Sequence, residues 1–527
     1  MNENKCKQCQ ESYKIEDEDQ KFYMKVALPK PTLCPSCRQQ RRFAYRNELN
    51  LYHRDCDKCG SDMISMFSAQ YKGKVYCKEC WWSDDFQPLD YGRDYDFNKA
   101  FFQQFEELML DVPLPNLIIG NCENADYTNY SWSNKNSYLL SSSDYCENCY
   151  YSTYLFRSQN CFDCLFVNDS ELCIECIDVK NCYSCAYCQN CRNLTDCFLC
   201  FDCRGSTDCL GCVGLRNKQY YIVNKRYSKE EYFKKKKELL KNIDTLKKQF
   251  QDYKLKFPHK FAEIENCENS RGDHLNSSKN LRNCFDMLEC EDCSYSEQGL
   301  KSKDLYDCTG MPSSELCYES LACPENYNLK FCAVAWGKSS YLEYCMLSRF
   351  SNYCFGSVSL IKNKFCILNK QYTEVQYKKI VQEIIEQMKS NLEYGEFFPI
   401  KISPFAYNET IAQDYFSLNK EKVLSNGWTW IDEEKDILVN TNQDLSICEV
   451  TGKPFRILPI EKKSYERMGL SLSKRSPVQR HKDRFKLRNT RRLWNRSCNK
   501  CDANVSSSYS SNRKEIIYCE ECYLKNI

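Results

Sequence analysis

The sequence predicts a mainly β protein with a few helices: two cysteine-rich β-solenoid units of twelve-residue coils, flanked by two copies of a four-cysteine module. Three observations carry that prediction. Small or apolar residues, cysteine above all, recur at every third position through the centre, and the cysteine columns return at every twelfth. The two ends of the chain repeat each other at a constant offset of 442 residues. Within the centre, Asn121-Cys-Glu-Asn-Ala125 returns as Asn266-Cys-Glu-Asn-Ser270, and Ile222-Val-Asn-Lys-Arg-Tyr-Ser228 returns as Ile367-Leu-Asn-Lys-Gln-Tyr-Thr373, both pairs 145 residues apart.

The chain has 527 residues and 40 cysteines, with 74 Lys+Arg against 72 Asp+Glu. At roughly 100 to 200 residues per domain, three or more domains are expected. No apolar run approaches the ~18 to 20 residues that cross a bilayer, and Met1 to Gln10 is polar, so a soluble cytoplasmic protein is expected, with no membrane contact. A reducing compartment disfavours disulfides and directs thiols to metal ligation or burial.

Residues 1–82 hold two quartets, Cys6-x2-Cys9 with Cys34-x2-Cys37, and Cys56-x2-Cys59 with Cys77-x2-Cys80. Two residues between thiols let one tight turn place both sulfurs on a tetrahedral ion, and a second pair closes the site. A zinc-ribbon or treble-clef-like module follows. Four thiolates leave no open coordination position, so the metal is expected to fold the module and not to catalyse. Residues 448–527 repeat the module, with Arg38, Arg42, Arg46 and Cys56 recurring as Arg480, Arg484, Arg488 and Cys498. This copy keeps Cys498, Cys501, Cys519 and Cys522, while at its other site only Cys448 survives and Thr451, Ser476 and Gln479 occupy the remaining ligand positions. Three zinc ions per chain are expected, not four.

Residues 83–119 form a linker in which Phe97, Phe101, Phe105 and Leu108 predict a helix over 96–110, capped by Asp96. The solenoid units follow at 120–227 and 263–372. In the first, every third residue from Cys146 to Leu215 is small or apolar, with columns from Cys149 to Cys209 and from Cys164 to Cys212, and Asn or Asp often stands just before the cysteine. A period of three within twelve fits neither strand nor helix, but fits a narrow four-sided coil with one inward residue per side. The second unit is less strict, running from Cys284 through Cys317 and Cys323 to Cys366 with slips of register. Compact, nearly apolar cysteine suits a thin core, and Asn and Asp tolerate its tight corners. Buried reduced thiols are the first reading; disulfides and a metal or redox store remain alternatives.

Each unit ends in a capping-box signal, Ser228 with Glu231 and Thr373 with Gln376, predicting helices over 229–250 and 374–391 within the stretches 228–262 and 373–394. Residues 395–447 read as an aromatic linker packing on the solenoid end.

The double CxxC module, the Asn/Asp-Cys repeats, Gly395-Glu-Phe-Phe-Pro399, Ser403-Pro-Phe405, Tyr407-Asn-Glu409 and Tyr518-Cys-Glu-Glu-Cys522 together resemble an uncharacterised family of cysteine-rich zinc-ribbon proteins from small-genome bacteria. Such chains are sometimes catalogued as CoA-transferases, but this sequence has no acyl-carrying or CoA-binding constellation. The twelve-residue coil also resembles insect antifreeze solenoids, without their outward Thr-x-Thr face.

Function is read from charge and from missing motifs. Between Lys474 and Arg496 ten Lys/Arg face one acid, Asp483. Arg480, Lys482, Arg484, Lys486, Arg488, Arg491, Arg492 and Arg496, with Trp494 for stacking, form a candidate nucleic-acid surface for RNA or DNA. The same arginines could instead pair with acids of the central region, where residues 121–216 carry 12 Asp/Glu against 6 Lys/Arg. There is no phosphate-binding Gly-Lys loop, no HExxH and no Ser/His or Cys/His pair, and the four histidines are scattered. A non-enzymatic structural-zinc protein that binds nucleic acid is expected; a protein-interaction scaffold and a thiol redox or metal reservoir are the alternatives.

Overall fold

The computed structural model describes residues 3–322, 324–335, 337–432 and 445–526. Cys323 lies outside the described residues.

In the first solenoid each coil has four sides of three residues. The first residue of a side pairs in parallel with the residue twelve further on, as in Phe162 with Ile174 and Leu165 with Ile177. The second adopts a left-handed backbone conformation, as Asp163 does at φ 55°, and the third points inward, as Cys164 does at 0% exposure. One left-handed residue per side is what turns the corner, and Asn and Asp reach that conformation most easily among non-glycine residues. The Asn/Asp-Cys steps of the sequence therefore mark corner and core in succession.

Burial alone does not explain why the inward residue is so often cysteine. The inward residue of each side leaves its own N–H outside the ladder, and two carbonyls also face the core. Cys164 Sγ donates to the Phe162 carbonyl at 3.3 Å and the Cys173 carbonyl at 3.4 Å, while its N–H is taken by Ser152 Oγ at 2.9 Å. Ser296 makes the same pair of contacts through its hydroxyl, to Ser294 and Leu305. Cysteine and serine alternate within columns because both are small and both can add a donor to carbonyls that already accept a ladder amide, as Phe162 O does from Glu175 and Cys173 O from Phe162. In the second solenoid burial pushes the thiols of Cys284, Cys317 and Cys345 up to about 12, so they remain neutral donors. None of the described cysteines is in a disulfide.

The slips in the second solenoid are one short coil and one long one. Arg271 pairs with Arg282, eleven residues on, before the twelve-residue register resumes at Gly272, and Tyr327 pairs with Ser340, thirteen on. The two errors cancel, so both solenoids end alike: Asn224 bonds the backbone of Val213 and Asn369 that of Val358. Both capping boxes form as the sequence predicts.

Two helices differ from expectation. The stretch 229–250 is not continuous: Lys229–Leu240 and Ile243–Lys254 form a hairpin broken at Asn242, which lets Leu240, Ile243 and Phe250 all reach the outer apolar face of the first solenoid. In the linker the helix is Phe101–Asp111, and Asp96 does not cap it. Its first amides donate instead to Glu393, almost 300 residues away, because the end of the Glu374–Ser390 helix packs there.

The coil core yields a test. Cys176→Ser should be nearly neutral, because the hydroxyl keeps both carbonyl contacts, whereas Cys176→Leu should destabilise by about 1–3 kcal/mol through overpacking. Denaturant unfolding of the two variants measures the difference.

Candidate metal centres and arginine anchors

Three sets of four thiols converge, with all sulfurs of a set within 4.8 Å of one another: Cys6, Cys9, Cys34 and Cys37; Cys56, Cys59, Cys77 and Cys80; Cys498, Cys501, Cys519 and Cys522. These are the twelve ligands read from the sequence. The first pair of each set lies on a knuckle. The Cys56 N–H donates to Ser61 O and its carbonyl accepts from Gly60, both at 2.9 Å, and Cys498 does the same with Ala503 and Asp502. The second pair opens a helix, with Cys34, Cys77 and Cys519 at the position just before the first turn. Neighbouring sulfurs lie 3.7 Å apart for Cys9–Cys34, 3.9 Å for Cys59–Cys77 and 3.7 Å for Cys501–Cys519. A tetrahedron with metal–sulfur bonds of about 2.3 Å has edges of about 3.8 Å, so the donor sets fit one ion each.

The fourth position keeps the scaffold without the ligands. Cys448 still forms the knuckle, bonding Lys453 and Gly452 at 2.9 Å, and Gly452 holds the left-handed corner at φ 68°. Ser476 now caps the Pro477–Leu487 helix itself, its hydroxyl accepting from the Gln479 amide. A side-chain cap thus stands where a metal-bound thiolate would.

The docking of the modules explains why that loss is tolerated. In the N-terminal copy, Arg38 Nε and Arg42 Nη1 clasp the two oxygens of Asp307 at 2.9 and 3.2 Å. In the C-terminal copy, Arg480 Nε and Arg484 Nη1 clasp Asp163, both at 3.0 Å. Asp163 and Asp307 are corresponding corner residues of the two solenoids, and both are fully buried. The match extends further: Arg38 lies 5.4 Å from the Tyr295 ring and Arg480 5.3 Å from Tyr151, while Arg42 and Arg484 donate to the carbonyls of those tyrosines. Each module also adds a strand beside the start of the other solenoid. Val75–Tyr76 pairs with Leu114–Pro115, and Ile516–Tyr518 pairs with Pro258–Lys260. Both modules therefore bridge both solenoids, and the two halves are related by an internal twofold correspondence.

This arrangement corrects the expected nucleic-acid face. Arg480, Arg484, Arg488 and Arg491 are buried and spend their charge on carboxylates. Arg488 reaches Asp178 at 3.2 Å and also Asp286, which Arg491 contacts at 2.9 Å. Although burial opposes it, these two guanidiniums hold the Asp286 carboxyl well below the usual carboxylate range. The row of arginines looks the same in sequence whether it meets phosphate or carboxylate, and here the acidic solenoid supplies the partner. Lys482, Lys486 and Arg492 remain exposed, while Trp494 and Arg496 are half-buried, with Arg496 donating to the Ser510 carbonyl at 2.7 Å. The anchors Asp163 and Asp307 were missed by sequence reasoning, because they are two of several Asp-Cys steps and only their return 144 residues apart sets them in correspondence.

The fold and these sites define a duplicated, cysteine-rich β-solenoid protein with metal-binding terminal modules. Among known proteins, no family model and no curated sequence matches the chain.

Two outcomes are expected. Because the knuckle persists, Thr451→Cys, Ser476→Cys and Gln479→Cys together should rebuild a quartet around Cys448 and raise the bound metal by one equivalent per chain in elemental analysis. Asp163→Ala leaves the buried Arg484 guanidinium without its carboxylate and Arg480 with Glu461 alone, and should cost about 3–5 kcal/mol, read by denaturant unfolding; Arg484→Met in the same variant should recover much of it.

Proposed function

We propose that this chain is a non-enzymatic structural-zinc protein, a rigid binding platform in which metal-folded modules bolt two solenoids together. The observation that carries this reading is the repeated clasp of two arginines on one buried aspartate, Arg38 and Arg42 on Asp307 and Arg480 and Arg484 on Asp163. Each clasp is presented by a helix that follows a knuckle: in the N-terminal copy Cys34 and Cys37 open that helix, so a bound metal would fix the arginines, and in the C-terminal copy the Ser476 cap takes that place. An all-thiolate, tetrahedral donor set favours zinc among the common soft ions. The solenoid thiols support construction and not storage: their donors are spent on backbone carbonyls, and although they stack in columns, sets of three or four thiols with all sulfurs within 4.8 Å of one another occur among the described residues only at the three terminal sites. The extended outer surface of stacked coils then serves for partners, the general use of solenoids.

The test is stepwise chelation followed by elemental analysis and limited proteolysis. Freshly purified protein should carry three zinc equivalents, and their removal should free both terminal modules to protease while the solenoid region stays resistant. Protease resistance of the modules after complete metal loss would overturn the reading.

A further inference from the structure

The internal duplication supplies its own control. Two halves that share fold, knuckles and clasps have the same structural needs, so a property present in one half alone is not required by the fold. Surface charge is such a property. The C-terminal module packs beside the helical hairpin that caps the first solenoid, since Tyr465 and Leu470 share one apolar cluster with Tyr232 and Phe250. Together residues 448–526 and 225–256 expose 20 Lys/Arg and 10 Asp/Glu. The corresponding stretches of the other half, 6–84 and 370–401, expose 13 and 12. The excess remains after Arg480, Arg484, Arg488 and Arg491 are buried, so it is carried by other residues.

The hairpin sorts its lysines by face. Those turned inward have partners on the first solenoid: Lys247 pairs with Glu175 at 3.2 Å, and Lys236 donates to the Asp196 carbonyl. Among those turned outward, Lys234, Lys237, Lys241 and Lys248 make no ion pair among the described residues, although Glu230, Glu231 and Glu238 lie on the first helix and Asp244 and Asp252 on the second. Rings accompany these cations. Phe233 is 45% exposed, and the ammonium groups of Lys225 and Lys235 lie 5.8 and 5.3 Å from the Tyr227 ring. At the corresponding positions of the other half, Lys235 and Lys236 become Ile380 and Val381, which pack on the main apolar cluster.

We propose that this basic face, the outer side of the 225–256 hairpin together with the adjoining C-terminal module, binds a single strand of nucleic acid. Lysines neutralise successive phosphates, and Phe233 and Tyr227 offer ring faces on which unpaired bases stack. Cations interleaved with the exposed Phe233 ring and the half-buried Tyr227 ring favour a nucleic-acid strand over an acidic protein, which needs no stacking platform. The inference goes beyond the platform reading and does not depend on which metal the modules hold.

The test is fluorescence anisotropy of the intact, metal-loaded chain with a labelled mixed-sequence RNA 20-mer over a range of salt. The wild type should bind in a salt-dependent manner. Reversing four exposed charges (K234E, K237E, K241E and K462E) should weaken binding by at least about ten-fold and lower the salt slope by about 2 to 3. Phe233→Ala should weaken binding with the slope unchanged. The matching reversals in the other half (K21E, K378E, K379E and K389E) should leave affinity within about two-fold, because that half lacks the excess. Unchanged metal content and circular dichroism certify folding, and the milder K234A/K241A pair replaces any variant that fails this check. No binding by the wild type, equal loss in both reversal sets, or competition by polyglutamate as strong as by unlabelled RNA would each overturn the proposal.

Discussion

A buried carboxylate held by two guanidiniums is the interaction on which the architecture depends. It occurs twice, on Asp163 and on Asp307, and each time it ties a terminal module to the solenoid of the opposite half. A charge in such a place is tolerable only while its partners are fixed. The metal sites, capped helices and aromatic packing around each clasp all serve to hold the arginines at that spot. The C-terminal copy shows how much slack exists: a serine cap stands where the N-terminal copy has a thiol, and Arg488 and Arg491 add contacts to Asp178 and Asp286.

The N-terminal half achieves extra hold by different means. Arg41 contacts Glu319 and Glu396, both at 2.7 Å, and Arg41 with the Thr32 contacts brings the Glu396 carboxyl down to about 2 against the opposing effect of burial. Phe397, Phe398 and Phe405, from the aromatic segment after the second solenoid, join the main apolar cluster that covers this junction. Both junctions thus rest on buried ion pairs, and the N-terminal one adds the aromatic packing of this segment.

Much of this was legible because the coil leaves a rigid imprint on sequence. A left-handed corner before each inward residue favours Asn or Asp there, although Tyr, Leu and Glu also hold it, and the thin interior favours Cys or Ser at the next position, so period and core could be read directly. The twelve thiols of the three converging sets were legible through their spacing. What escaped was long-range. Nothing local distinguishes Asp163 from its neighbours, and nothing near Phe101 announces that Glu393 will cap its helix. The arginine row was visible, but its partner was not, since guanidinium groups suit carboxylate and phosphate alike.

The order of segments, module, solenoid, solenoid, module, has a consequence for how the chain is made. Asp163 and Arg484 are separated by 321 residues. A ribosome adding about 5 to 20 residues per second needs roughly 15 to 65 seconds to pass from one to the other. During that interval the nascent first solenoid carries an acidic corner whose counterpart has not been synthesised. Residues 480–518 supply both that counterpart and the strand beside Pro258–Lys260, so their synthesis is the step that joins the first solenoid to the second.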